Sequence, residues 1–151
     1  MPFLDKLAAL GVLLALSLPA TSHATLGGTA DSVQADQAKL KASRQVTAHA
    51  AYQVHEMTLA SGTLVREYVD ASGNVFGVAW QGPVMPNLSQ LLGTSFARLT
   101  AAAQAPHATH RMMAVRDSDL VIESAGRMRA FQGRAYLTGS LPSGVSSGDI
   151  Q

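Results

Sequence analysis

The stretch from Val54 to Pro83, VHEMTLASGTLVREYVDASGNVFGVAWQGP, holds three runs rich in Val, Tyr, Phe and Trp, separated by two copies of Ala-Ser-Gly. β-branched and aromatic residues favour strands. Each Ala-Ser-Gly, at 60–62 and 71–73, suits a type I turn ending in a left-handed glycine, a common bulged hairpin connection. Two hairpins in series make a three-stranded antiparallel meander, and their turns set its register. Leu59 should face Thr63, and Asp70 should face Asn74. Extended without interruption, that register opposes His55 with Glu67, and Glu67 with Gly77. On the other face it opposes Glu56 with Arg66, Leu64 with Trp80 and Tyr68 with Phe76, and so gathers the aromatic residues on one side.

Upstream, Asp31 or Ser32 can cap a helix running to about Arg44, with Val33 and Leu40 as a thin apolar stripe. The first strand run then begins near Ala48. Downstream, Pro86 and Asn87 open a second helix, NLSQLLGTSFARLTAAAQA, whose Leu88, Leu91, Leu92, Phe96 and Leu99 recur at helical spacing. Gly93 weakens its interior by about 1 kcal/mol relative to alanine. Packed on the aromatic face, this helix should bury Leu92, Phe96, Tyr68, Phe76 and Trp80. Three more strand-like runs follow, HRMMAVR, DLVIESA and RMRAFQGRAYL, with turns marked by Asp117-Ser118 and Gly126. The pattern is helix and three strands, twice. It fits an α+β fold, an antiparallel β-meander with two helices; an all-β sandwich is the alternative. Residues 25–139 then form one domain, and 140–151, small and polar, form a flexible tail.

The chain has 151 residues, 47% of them apolar and 14% charged, with a formal net charge of +1. A single packed domain is within reach. So small a charge gives neither the basic footprint of a nucleic-acid binder nor a polybasic membrane-surface segment. Cysteine is absent. That excludes disulfides, thiolate metal sites, a cysteine nucleophile and a lipid-bearing cysteine.

Residues 1–24 read as a signal peptide. A short start with Lys6 precedes the apolar run LAALGVLLALSL from Leu7 to Leu18. Pro19 breaks it, and Ser22 and Ala24 supply small residues for cleavage before Thr25. The run is shorter than the roughly 20 apolar residues a bilayer span needs. The alternative is an uncleaved N-terminal anchor. No second apolar run follows, so no transmembrane segment is expected once the leader is removed. The expected location is the periplasm or the exterior.

The phrase from Val54 to Pro83, preceded by ATLGG and by Ser32, Val33 and Asp36, resembles a family of exported proteins of Gram-negative bacteria known as a domain of unknown function. The resemblance covers most of the mature chain and thins after about Ala105. It implies export, and it brings no activity, substrate or catalytic residue.

Few constellations could carry chemistry. His55 opposite Glu67 is a candidate acid/base pair beside an open floor at Gly77, and the carboxylate would raise the imidazole pKa. The alternative is a favourable cross-strand pair worth roughly 0.2–1 kcal/mol. Glu56, Arg66, Tyr68 and Trp80 could line a ligand groove with aromatic walls and a charged clamp, or they could be covered by helices. His107 and His110 lie three apart, and His49 and His55 share a strand face, but no metal-ligand motif accompanies them. No GxSxG elbow or glycine-rich phosphate loop is present. Arg127, Arg129 and Arg134 suggest a basic strand face. No cofactor is expected. The leading expectation is a non-enzymatic binding protein whose partner is an envelope protein or a cell-surface polymer. The alternatives are a small-ligand module on the aromatic face and an enzyme using His55 and Glu67.

Overall fold

A computed structural model describes residues 26–105 and 112–151. The leader and the pair His107 and His110 lie outside these residues. The fold is α+β. A seven-stranded antiparallel sheet has the order β1-β2-β3-β4-β7-β6-β5. Its strands are β1 (Ser43–Ala48), β2 (Tyr52–Thr58), β3 (Leu64–Asp70), β4 (Val75–Gly82), β5 (Met112–Arg116), β6 (Leu120–Arg127) and β7 (Ala130–Leu137). Two meanders therefore meet where β4 pairs with β7. The halves are unequal, with four strands after the first helix and three after the second helical segment, so helix plus three strands does not repeat.

The extra strand comes from a helix that ends early. α1 (Ala30–Leu40) stops at Lys41, which adopts the left-handed conformation with φ 49° and closes the helix by donating to Ala38 O and Gln37 O. Residues 43–48 are thereby freed to form β1. Its N-cap is Thr29, whose carbonyl accepts the Ser32 hydroxyl. The second helix is also broken. Asn87 caps α2 (Leu88–Leu92) by accepting the Gln90 N–H, and Gly93 (φ 52°, ψ −126°) then turns the chain before α3 (Phe96–Ala103). The apolar period survives the break, and Leu88, Leu91, Leu92 and Leu99 are buried.

The first hairpin pairs as its turn requires, with His55 opposite Glu67 and Glu56 opposite Arg66. The second begins in the expected register, Val69 opposite Val75, and then slips: Tyr68 pairs with Gly77 and Glu67 with Val78. Phe76 is an extra residue in β4, a β-bulge. Beyond it every side chain changes face relative to an uninterrupted pairing. Val78 and Trp80 accordingly leave the aromatic face for the opposite one. The last hairpin turns at Met128 and Arg129 (φ 65°), with Arg127 paired to Ala130. Gly126 instead lies within β6, where a Cβ would come within 2.5 Å of the Phe131 ring. Arg127, Arg129 and Arg134 thus form no common strand face.

The helices pack on the face opposite the one expected. Val33, Leu88, Leu91, Leu92 and Leu99 join Met57, Val65, Val78, Trp80 and Ile122 in one core. Tyr68, Phe76, Ala79, Tyr136 and Ile150 form a second cluster on the other face. Leu92, Tyr68, Phe76 and Trp80 are buried, and Phe96 is half-buried. The tail expected over 140–151 is instead a strap across that second face, with Ile150 fully buried.

Candidate functional site

Sheet register places two rows of side chains on the open, strap-bearing face. One row reads Glu56, Arg66, Ala79, Arg134, Glu123 across β2, β3, β4, β7 and β6. Small Ala79 sits at its centre, with an arginine on either side. Arg66 Nε donates to Glu56 Oε2 at 2.8 Å, and Arg134 Nε donates to Glu123 Oε2 at 2.9 Å. Arg116 also donates to Glu123 at 2.7 Å, and these two arginines hold the Glu123 carboxyl below the ordinary range. The adjacent row reads Tyr68, Gly77, Tyr136. The bulge therefore sets a glycine between two tyrosines, and the space above Gly77 becomes a slot.

The strap fills that slot. A Cβ on Gly77 would lie 3.0 Å from Ile150 Cδ1. Arg66 donates to Gln151 O at 2.9 Å, and Arg134 donates to Ser147 O at 2.8 Å. The Tyr68 hydroxyl donates to Gln151 O at 2.9 Å and lies 3.1 Å from Gln151 N, which is placed to donate to it. On one side of the strap is a cleft of about 300 Å³ lined by Tyr52, Glu56, Arg66, Tyr68, His49 and Asp149 among others. The rings of His49 and Tyr52 stack there at 4.6 Å with 13° between their planes. On the other side is a cleft of about 620 Å³ whose lining includes Arg116, Glu123, Gln132, Arg134, Ile150 and Gln151.

Glu56, Arg66 and Tyr68 are thus brought together as the sequence suggests. Trp80 is not beside them: the bulge packs its indole into the helix-side core, 2% exposed, although the residue also contributes to the lining of the larger cleft. His49 lies in the open cleft after β1 and shares no face with His55. The partners missed from sequence are Glu123, Arg134, Tyr136 and the strap. A hairpin centred on Met128-Arg129 would have opposed Glu123 with Arg134, but Gly126 was the stronger turn signal.

His55 and Glu67 do oppose each other, on the helix-covered face. His55 is 7% and Glu67 0% exposed, beneath α1, whose Asp36 is also fully buried. No hydrogen bond joins the pair: among the described residues, His55 Nδ1 and both Glu67 oxygens have no hydrogen-bond partner. Burial, then the charge of Arg44, lowers the imidazole pKa rather than raising it. Burial also pushes the Glu67 carboxyl up to about 8, with the Asp36 charge adding to the rise and Arg44 opposing it. Asp36 Oδ1 accepts from the Gln90 side chain at 2.7 Å. This arrangement is a sealed polar seam between α1, α2 and the sheet. A substrate would have no opening to it from the strap face. Among the described residues, no group of three or more His, Cys, Asp or Glu could hold a metal ion, and no helix is long and apolar enough to cross a membrane.

The ion pair on the open face has a measurable consequence. Glu56 and Arg66 are both partly exposed, so a double-mutant cycle with alanine should give a coupling of about 0.2–1 kcal/mol. A coupling of zero would mean that Arg66 is held by the strap and not by Glu56.

Fold and site together define an α+β protein with one helix-covered sheet face and one strapped, cleft-bearing face. The chain belongs to the family described as a protein of unknown function (DUF2844), whose family model matches residues 22–150. The match reaches beyond the phrase around Val54–Pro83 and takes in the second meander and most of the strap. No curated protein and no solved structure matches the chain.

Proposed function

We propose that this chain is an exported, non-enzymatic binding protein of the bacterial cell envelope that takes its ligand on the open face of the sheet. The observation that carries the reading is the pair of concave clefts flanking the strap, of about 300 and 620 Å³, in the size range of ligand sites. Concave clefts with aromatic and charged walls favour a small ligand or a narrow segment over broad docking on a flat surface. The sealed position of His55 and Glu67 favours binding over acid/base catalysis. Export rests on the leader pattern of residues 1–24.

Native mass spectrometry of the protein, released gently from its own envelope, tests both parts. The chain should begin at Thr25; a mass beginning at Met1 would contradict cleavage. It should also carry an added mass that disappears in a Tyr52→Ala, Arg66→Ala double variant. An added mass that survives that substitution would place the ligand elsewhere, and a chain with no added mass would count against the reading.

A further inference from the structure

The strap is held in the manner of a ligand. Five hydrogen bonds tie it to the sheet, two each from Arg66 or Tyr68 to Gln151 O and from Arg134 to Ser147 O and Ile150 O, and one between Gln151 N and Tyr68. Every one of them uses a main-chain atom of the strap. One strap side chain is fully buried, Ile150, over Gly77 among Tyr68, Phe76, Ala79 and Tyr136, while Leu141 and Val145 pack part-buried at the edge of that cluster. Main-chain recognition plus a single apolar slot is a general way of binding peptides. It reads backbone carbonyls and one side chain, and little else of sequence.

The receiving surface belongs to the sheet rather than to the strap. Arg66 and Arg134 come from different strands, β3 and β7, and each is oriented by its own carboxylate, Glu56 or Glu123. The slot is made by the β4 bulge, which places Gly77 between Tyr68 and Tyr136. The strap adds no strand to the sheet. Its internal bonds are local, such as Val145 N to Pro142 O and Asp149 N to Ser146 O, and Gly144 has φ 82°. Such a segment can detach without breaking a ladder. Residues 147–151 also separate the two clefts, with Asp149 lining one and Gly148, Ile150 and Gln151 the other. Lifting them would open one cleft into the other.

We propose that the open face is a peptide-binding groove for a short segment carrying one branched aliphatic side chain, and that residues 147–151 are its built-in occupant, displaced by the partner's segment. This rests on the open face being the binding face, and it names the ligand as peptide. Arg66 and Arg134 clamp the incoming carbonyls, Tyr68 and Tyr136 flank the slot, and the strap sets the threshold a partner must exceed.

The test uses the full chain and a fluorescent peptide copying residues 145–151, read by anisotropy. Ile150→Ala empties the slot while leaving the clamp. It should bind the peptide at least tenfold more tightly than the wild type, and a peptide with alanine in place of the isoleucine should bind neither protein. A folded Ile150→Ala protein that binds neither peptide overturns the proposal. So does equal affinity of the two proteins, because the strap would then not be competing. Should Ile150→Ala fail to fold, the wild type is titrated with the unlabelled peptide to millimolar concentration and followed by NMR. Shifts of the Gly77 amide and of the Ile150 methyls toward exposed values support displacement, and unmoved signals overturn it. If the added mass seen on native mass spectrometry depends on Tyr52 and Arg66 while no peptide binds, the binding face stands and the peptide assignment falls.

Discussion

Glu67→Gln should stabilise the protein at pH 8 by roughly 3–5 kcal/mol and remove the fall in stability that Glu67 causes between about pH 5 and 8. The rise toward pH 6.5 that comes from the lowered pKa of His55 should remain. The Glu67 side chain is fully buried on the helix side, and neither of its oxygens has a hydrogen-bond partner among the described residues. Burial, with Asp36 adding, raises its pKa from an ordinary 4.5 to about 8. Above about pH 4.5 the unfolded chain releases this proton while the folded chain keeps it. The folded state then binds more protons than the unfolded state, and stability falls as pH rises. The fall continues until the folded carboxyl ionises near 8, at about 1.4 kcal/mol per pH unit. Glutamine keeps the volume and carries no charge, so the two proteins should be close in stability at pH 5 and diverge upward. Denaturant midpoints at pH 5, 6.5 and 8 decide the matter. A Glu67→Gln protein less stable than wild type at pH 8 would mean that the charged carboxylate has a partner worth more than its burial costs.

Trp80→Ala should cost about 3–5 kcal/mol, and Gly133→Ala, for the opposite reason, about 1–3 kcal/mol. A Cβ at position 133 would lie 2.2 Å from Trp80 Cζ2 and 2.6 Å from the Glu123 carbonyl oxygen. Trp80 is 2% exposed, so its ring has little room to retreat. In a Trp80→Ala background the clash with the ring is gone while the one with the Glu123 carbonyl remains, so part of the Gly133→Ala penalty should vanish. The cycle should therefore show a coupling above about 1 kcal/mol. Trp80 is the chain's single tryptophan, so iodide should leave its fluorescence largely unquenched in the folded protein. Strictly additive costs, or ready quenching, would place the indole away from Gly133 and return it to the open face.

The same tryptophan shows where reading the sequence ran out. Alternation of side chains and the two Ala-Ser-Gly turns were enough to pair His55 with Glu67 and Glu56 with Arg66 correctly. They were not enough to reveal one unpaired residue in β4. Phe76 and Gly77 look like ordinary members of an alternating strand, because a bulge is chosen by what packs around it rather than by its own composition. That single residue sends Val78 and Trp80 to the helices. It also leaves Gly77, and not Phe76, opposite Tyr68, which creates the slot. The early end of α1 has no local signal either: lysine is an ordinary helix residue, and nothing in its own side chain favours the left-handed conformation it adopts at position 41. The strap was missed because Ser, Gly and Pro dominate residues 140–151 and resemble a solvated tail. Its anchoring depends on Ile150 meeting a slot that the strand alternation does not disclose, and on main-chain bonds to Arg66, Tyr68 and Arg134. Within the candidate site, Glu56, Arg66 and Tyr68 could be read because they lie on one side of the bulge. Glu123 and Arg134 could not, because their hairpin turns at Met128-Arg129, two residues from the glycine that seemed to mark it.

Function at the open face is tested most directly by site-specific photocrosslinking in the cells that make this protein, with a photoreactive phenylalanine in place of Tyr52 or of Gln34. Tyr52 lines the cleft beside the strap, and Gln34 is exposed on α1 above the other face. The expected result is a discrete crosslinked product from position 52 that is lost when Arg66→Ala is added, with none from position 34. Products of equal yield from both positions, or a product from position 34 alone, would contradict a binding site on the open face.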